Sequence, residues 1–312
     1  MKIYKNTSIS NIHKGSAIAI GNFDGIHYGH QRVFHKAKNF AKKNKIKFGV
    51  LTFNPLPVMF FNKKINNFRL VNEDVKFRLF KKYKVDFVIN LKFNKNFSKI
   101  KAKDFITNIL YKKINPRFKF VSNNFRFGNK RKGNLKLLSN FSKIYKYQLV
   151  KVDPLRFKGK IISSTRIRKC LSYGHINLAN KLLSRTWFVD SRVIKGKKLG
   201  RKLGYRTCNL KIRDYVLPKE GIYSVRVMVD NKKKILKGVG YLGSRPTFEG
   251  KAVFLEINIF DINRNLYKKK LRVYFTKFIR RDKKFKNSAK LIEQMNKDVI
   301  FAKKGLKAKI VL

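Results

Sequence analysis

Carboxylates are scarce in this sequence: 16 Asp and Glu stand against 77 Lys and Arg in 312 residues, a formal charge of +61. Such a balance ordinarily marks a partner of nucleic acid or of an acidic membrane surface. Here the lysines are spread along the whole chain instead of forming one tail or stripe. They accompany an excess of Asn, Ile, Phe and Tyr, all residues with A/T-rich codons. The pattern reads as a coding bias that leaves most lysines on solvated faces, so no specific nucleic-acid partner is expected. Cysteine is scarcer still. Cys170 and Cys208 are the only two, and neither lies in a C-x-x-C pair, which argues against zinc and against a disulfide framework. No apolar leader follows Met1-Lys2-Ile3-Tyr4, and no window approaches the ~18 apolar residues of a membrane span. The expectation is a cytoplasmic protein without a membrane partner.

What is present is enough for folding. Apolar residues make up 43 % of a chain long enough for two domains with separate cores. The chain is organised around Ile20-Gly21-Asn22-Phe23-Asp24-Gly25-Ile26-His27-Tyr28-Gly29-His30. It follows the apolar run Ala17 to Ile20 and precedes Val33, Phe34, Ala37, Phe40 and Ala41 at helical spacing. Strand, glycine-rich turn and helix in that order let a backbone approach a phosphate and aim helix N-terminal N–H groups at it. His27 and His30 then stand where phosphates would lie. A tight turn with two surface histidines is the plainer alternative.

Strand and helix go on alternating. Ile46 to Phe53 reads as a strand ended by Asn54-Pro55-Leu56-Pro57, and Asn72-Glu73-Asp74 opens a helix with Val75, Leu79, Phe80 and Tyr83 inward. Asp86 to Leu91 is a strand, Lys103 to Ile114 a helix and Arg117 to Val121 a strand. This predicts a parallel sheet covered on both faces, whose ligands bind beyond the strands' carboxyl ends, where the glycine turn lies. The loop Ser122 to Gly128 and the later Ile162-Ser163-Ser164-Thr165-Arg166-Ile167-Arg168 can close over that place. Hydroxyls followed by arginines suit a polyphosphate.

After a short helix within Gly174 to Arg185 the period changes to two. Tyr223, Val225, Val227 and Val229, and Val253, Leu255, Ile257 and Ile259, alternate as in antiparallel strands with one buried face. A β-rich domain therefore spans 185–312 behind an α/β domain of 1–184. It ends in a helix capped by Asn287 or Ser288, with Leu291, Ile292, Met295 and Val299 as core packing. Two features in this domain can carry chemistry. Gly196 to Gly204 is a glycine-punctuated basic loop able to wrap phosphates, and it runs into Tyr205-Arg206-Thr207-Cys208-Asn209. Glu256 points away from the apolar face of its strand, where it can take a proton from an attacking hydroxyl or pair with a lysine.

These segments, with Gly221-Ile222-Tyr223 and Arg245-Pro246-Thr247-Phe248, occur in the order found in bacterial bifunctional riboflavin kinase/FMN adenylyltransferase. The chain resembles that family over nearly its whole length. The resemblance implies a Rossmann-like nucleotidyltransferase domain with a parallel sheet, followed by a small antiparallel β-barrel kinase ending in a helix. It implies ATP and Mg²⁺ as cosubstrate and metal, and riboflavin, FMN and FAD as substrates and products. In the kinase, Glu256 would be the base and Thr207 the metal-holding residue. Asn209, Gly196 and Lys202 would join Thr207 in binding nucleotide. In the adenylyltransferase, His27 and His30 would stabilise charge at the α-phosphorus. Gly21, Phe23, Asp24 and Asn124 would line the nucleotide site, and Ser164, Thr165 and Arg168 would hold the leaving phosphates.

Several positions depart from the family pattern. Arg206 and Cys208 stand in a motif that usually reads Pro-Thr-Ala-Asn, and Ser191 replaces a usual glycine. Asn54, Leu56, Ser122 and Asn124 replace an acidic residue, a histidine, a glycine and an aspartate. Two alternatives follow: an FMN adenylyltransferase with a degenerate kinase, or a basic RNA-binding protein on a nucleotidyltransferase scaffold.

Overall fold

The computed structural model describes residues 1–306 apart from 64, 66, 197–203, 231, 233, 248, 249 and 263. The chain forms two compact units, one of residues 1–66 and 72–163, the other of residues 67–71 and 164–312. Along the first part run β1 (Lys2–Tyr4), β2 (Ala17–Ile20), β3 (Phe48–Asn54), β4 (Asn67–Arg69), β5 (Phe87–Lys92), β6 (Phe118–Ser122) and β7 (Gln148–Val152). All but β4 build one sheet in the order β1-β5-β3-β2-β6-β7. Every pairing in it is parallel, as the alternation of strand and helix predicts. β2 lies inside this sheet and is buried at all four residues, which is why its sequence is an unbroken apolar run.

Helix α1 (Tyr28–Lys43) follows β2 and buries Val33, Phe34, Ala37 and Ala41. Phe40 is half-buried, with its ring edge-on to Phe118 and Phe120. Helix α2 (Glu73–Lys82) is capped by Asn72, whose side chain accepts from the Val75 N–H at 2.9 Å, and carries Glu73 and Asp74 in its first turn. The expected helix from Lys103 is different in kind. A short α-turn, Ala102–Asp104, widens into a π-helix, Phe105–Ile114, that buries Phe105, Ile106, Ile109, Leu110 and Ile114. A wider turn brings these five side chains to one face, and tertiary packing decides between the two helix types. The sequence reading also lacks the edge strand β1 and a small hairpin, β8 (Arg156–Phe157) with β9 (Lys160–Ile161).

Two lysines of this unit, Lys76 and Lys119, are far from solvent. Lys119 in β6 is 1 % exposed, donates to the Pro116 carbonyl at 3.0 Å and lies 3.3 Å from the centre of the Tyr147 ring. Burial pulls its pKa down to about 7. The folded state therefore sheds a proton that the unfolded chain keeps, and stability rises as pH climbs from about 7 towards the ordinary lysine value of 10.5. Lys119→Met is expected to raise the stability of this unit by roughly 3 kcal/mol at neutral pH. Each tenfold loss of proton affinity on folding costs about 1.4 kcal/mol, and the contacts given up by the substitution offset part of the gain. Thermal melts of both proteins at neutral and alkaline pH check it, and the gap should narrow as pH rises.

The second unit contains α3 (Ser164–Ser172) and α4 (Ile176–Leu183), then β10 (Phe188–Ile194), β11 (Thr207–Lys211), β12 (Asp214–Tyr215), β13 (Gly221–Val229), β14 (Ile235–Thr247), β15 (Gly250–Ile259) and β16 (Lys270–Arg280). Six strands close into a barrel in the order β10-β11-β15-β14-β13-β16, with antiparallel pairing throughout. The alternating residues of β13 and β15 are its buried face. The remaining strand, β12, pairs in parallel with β4, so residues 67–71 pack in this unit. Trp187 is fully buried there and donates its Nε1–H to the Leu70 carbonyl at 2.8 Å.

The last helix, α5 (Ser288–Gly305), is capped by Asn287, which accepts from the Lys290 N–H. Its apolar residues Leu291, Ile292, Met295 and Val299 are only half-buried, while Asp298 and Ala302 are the buried positions. A fork of hydrogen bonds explains the exchange. Arg280 at the end of β16 grips Asp298 through Nε at 2.9 Å and Nη2 at 2.6 Å, and Gln294 adds a third donor at 3.1 Å. A buried carboxylate met by that many donors is satisfied where an apolar side chain alone was expected.

Candidate active sites

In the first unit the glycine turn links β2 to α1. Three residues in it take left-handed backbone, Phe23 at φ 46°, Gly25 at 81° and Ile26 at 41°. His27 is the N-cap of α1 and 5 % exposed, and its Nδ1 accepts from the His30 N–H at 3.4 Å. A neutral imidazole that accepts at Nδ1 carries its proton on Nε2. The His27 and His30 rings stack with centroids 3.6 Å apart. Gly29 makes room for this: a Cβ there would lie 3.2 Å from the His27 ring and 3.5 Å from the Ile162 carbonyl.

The predicted nucleotide-site residues of this turn divide by role. Gly21 is half-exposed, and its N–H extends the sheet by donating to Leu51 at 3.1 Å. Phe23 is a core side chain, with its ring 4.9 Å from Phe34 and 5.2 Å from His30, so only its backbone is placed for a ligand. Asp24 is buried within the turn. Asn124 follows β6, the strand paired with β2, and accepts from the Ser122 hydroxyl at 2.9 Å. It lines a cavity of about 580 Å³ with Asn123, Phe125 and Arg126 of the predicted loop and with Arg131 and Lys136, which the sequence reading did not single out. Their signal was the basic run beyond Gly128, hidden among the many lysines.

Ser164, Thr165 and Arg168 belong to the second unit, in the opening turns of α3 and not in a loop. Arg168 donates from Nε to the Phe68 carbonyl at 2.9 Å and lies 3.7 Å over the Phe68 ring. In the barrel, the register sets Asn209 of β11 opposite Glu256 of β15, and Thr207 opposite Asn258. Directly paired residues share a face, so Thr207, Asn209, Glu256 and Asn258 point the same way, opposite to Leu210, Leu255 and Ile257. The half-buried Glu256 is thus on the face expected for it. Gly196 approaches the same place so closely that a Cβ would lie 2.2 Å from Asn209 Nδ2. Lys202 lies outside the described residues, as does the loop from 197 to 203 around it.

The departures at this site find local partners. Asn258 donates from Nδ2 to the Arg206 carbonyl at 2.9 Å, which fixes the peptide just ahead of Thr207. Ser191 donates to the Lys211 carbonyl at 3.0 Å. Arg206, Thr207 and Cys208 line a cavity of about 300 Å³ with Val193, Arg264 and Tyr267. Burial raises the Cys208 thiol to about 11, so it packs there as a small apolar group.

Comparison with known proteins gives the family. A family model described as FAD synthetase matches residues 9–166, and one described as riboflavin kinase matches residues 183–306. A curated bifunctional riboflavin kinase/FMN adenylyltransferase from Buchnera aphidicola subsp. Schizaphis graminum is 39 % identical over 300 residues, covering 95 % of this chain and 96 % of the relative. The chain belongs to the bifunctional riboflavin kinase/FMN adenylyltransferase family. Its relatives of that name include the Haemophilus influenzae protein, 35 % identical with 93 % and 94 % of the two chains covered. The Escherichia coli protein is 31 % identical, with 93 % and 92 % covered. As a member of this family the protein is an enzyme that converts riboflavin to FMN and FMN to FAD. A solved structure titled as a macrolide-efflux protein from Streptococcus pneumoniae has the same fold, with TM-score 0.83, 27 % identity and 95 % and 96 % coverage. Among the described residues of the bifunctional enzyme, no helix is long and apolar enough to cross a membrane.

Proposed function

We propose that both steps use ATP with Mg²⁺, that riboflavin is phosphorylated at the barrel (185–312) and that FMN is adenylylated by the domain of 1–184, in the cytoplasm. In the first step Glu256 takes the proton of the ribityl 5′-hydroxyl as that oxygen attacks the γ-phosphorus, and ADP leaves. The barrel register that sets Glu256 beside Asn209 and Thr207 carries this reading. Such chemistry is mainly positioning and electrostatics.

The residues present fit Mg²⁺. A magnesium ion bound through substrate phosphates needs few protein oxygens and keeps several waters, and the Thr207 hydroxyl and Asn209 amide oxygen are hard ligands on one face. They would hold it there, where it would neutralise phosphate charge. Gly196 lies against Asn209, and Lys202, outside the described residues, is assigned to the same nucleotide.

In the second step an FMN phosphate oxygen attacks the α-phosphorus of ATP, the bond to the bridging oxygen breaks and pyrophosphate leaves. His27 donates from Nε2 and His30 stands against it, at the positive end of α1. Gly21 and the Phe23 and Asp24 backbone form the floor, and Asn124 contributes an amide from its cavity. Ser164, Thr165 and Arg168, with hydroxyls and a guanidinium, bind the leaving phosphates.

Isotope position tests the scheme. Riboflavin with γ-labelled ATP is expected to give labelled FMN, whereas FMN with α-labelled ATP gives FAD labelled in its adenylyl half and with γ-labelled ATP gives labelled pyrophosphate and unlabelled FAD. Removing Mg²⁺ with a chelator should stop both. FAD carrying the γ-label when made from FMN would overturn the assignment.

A further inference from the structure

The glycine turn is held in a costly shape. Phe23 and Ile26 have left-handed backbone, which non-glycine residues avoid and β-branched ones most of all, so the surroundings must enforce it. Two buried side chains that no reading of the sequence marked do so. Lys76 of α2, 4 % exposed, donates from Nζ to the Asn22 carbonyl at 2.7 Å and contacts the Thr52 hydroxyl at 2.6 Å. Thr52 in turn donates to the same carbonyl at 3.2 Å. Gln31 of α1, 5 % exposed, donates from Nε2 to the Ile26 carbonyl at 2.9 Å. The pinned carbonyls begin the peptides leading into Phe23 and into His27.

In a trans peptide the carbonyl and the following N–H point opposite ways. Holding the Asn22 and Ile26 carbonyls on buried donors therefore turns the N–H groups of Phe23 and His27 the opposite way, and the His27 N–H stands at the N-terminus of α1, where an anion is favoured. Glu73, one turn before Lys76, anchors α2 by accepting from Asn54 at 2.9 Å, at the end of β3, and from Asn90 at 2.5 Å, within β5. The helix that carries Lys76 is thus fixed to the sheet whose inner strand β2 leads into the turn. We infer that Lys76 and Gln31 are positioning residues for adenylyl transfer, holding the turn so that backbone N–H groups and His27 face the anionic phosphates of ATP in the transition state. The inference rests on the reading that this turn serves FAD formation.

The test compares Lys76→Met, Lys76→Gln, Gln31→Leu and His30→Ala in the full chain, with riboflavin phosphorylation as the internal control. Misaligned donors cost rate more than substrate binding, so Lys76→Met is expected to lower kcat for FAD formation from FMN about 100-fold and Gln31→Leu about 10-fold, with KM for ATP within about threefold. FMN formation and the thermal midpoint should hold, because Met replaces a buried ammonium with an apolar group of similar length. Lys76→Gln keeps a donor without the charge and should recover most of the rate. Wild-type FAD formation by Lys76→Met and Gln31→Leu overturns the inference, as does a loss that follows a fallen midpoint and is not recovered by Lys76→Gln. If Lys76→Met does not fold, Gln31→Leu decides alone. Full activity of His30→Ala would instead remove the underlying reading.

Discussion

Glu256→Gln is expected to stop FMN formation from riboflavin while FMN supplied from outside is still turned into FAD at the wild-type rate. The substitution keeps size and hydrogen-bonding shape but leaves no group able to take a proton. A positioned general base contributes about 10²–10⁴-fold, and the loss should fall in that range. Structure is spared for a definite reason: Glu256 is half-buried on the polar face of β15, while the apolar face is formed by Val253, Leu255, Ile257 and Ile259. Chromatographic separation of riboflavin, FMN and FAD reads both steps in one reaction. An unchanged rate of FMN formation would demote Glu256 to a partner for a lysine.

His30→Ala should give the mirror image, in which FMN accumulates and FAD does not form. His30 stacks on His27 at 3.6 Å, its own N–H is the one that His27 Nδ1 accepts, and it lies in the first turn of α1. Removing the ring takes away a donor and unseats its neighbour, while the backbone hydrogen bond of the cap can persist. Removal of one such donor costs about 10²–10³-fold in other enzymes, and a stacked pair should reach the upper end. The same chromatographic assay, started from riboflavin, checks it. Equal FAD yield in the variant would return the histidine turn to the plainer reading of a tight turn.

How much of this was legible in the sequence varied with the range of the interaction. The strand-turn-helix at Ile20 to His30 is a local pattern, and so is the alternation in β13 and β15; both reach the structure intact. The Asn72 cap and the Asn287 cap were equally local. By contrast, Lys76 and Lys119 were hidden by composition, because a bias that scatters lysine over the surface makes two buried lysines look like the rest. Only the fold brings Lys76 to the Asn22 carbonyl, 54 residues away along the chain. The π-helix at Phe105–Ile114 shares its apolar residues with an ordinary helix, and its period is set by what it packs against. The placement of Glu256 beside Asn209 needed strand register, which alternation alone cannot supply.

The strand Asn67–Arg69 bears on how this protein can be taken apart. Gene fusion and fragment work treat a barrel like this as a portable cassette that starts where its own fold starts. Here the cassette borrows. β12 loses its partner without β4, the Val216 N–H loses the Arg69 carbonyl at 2.8 Å, and the Trp187 indole loses the Leu70 carbonyl. A fragment that begins at residue 185 would carry an interior tryptophan with its N–H bereft and a sheet edge newly open to other chains. The second unit is therefore interleaved with the first along the chain, and a gene for the barrel cut at residue 185 would have to replace the strand it leaves behind.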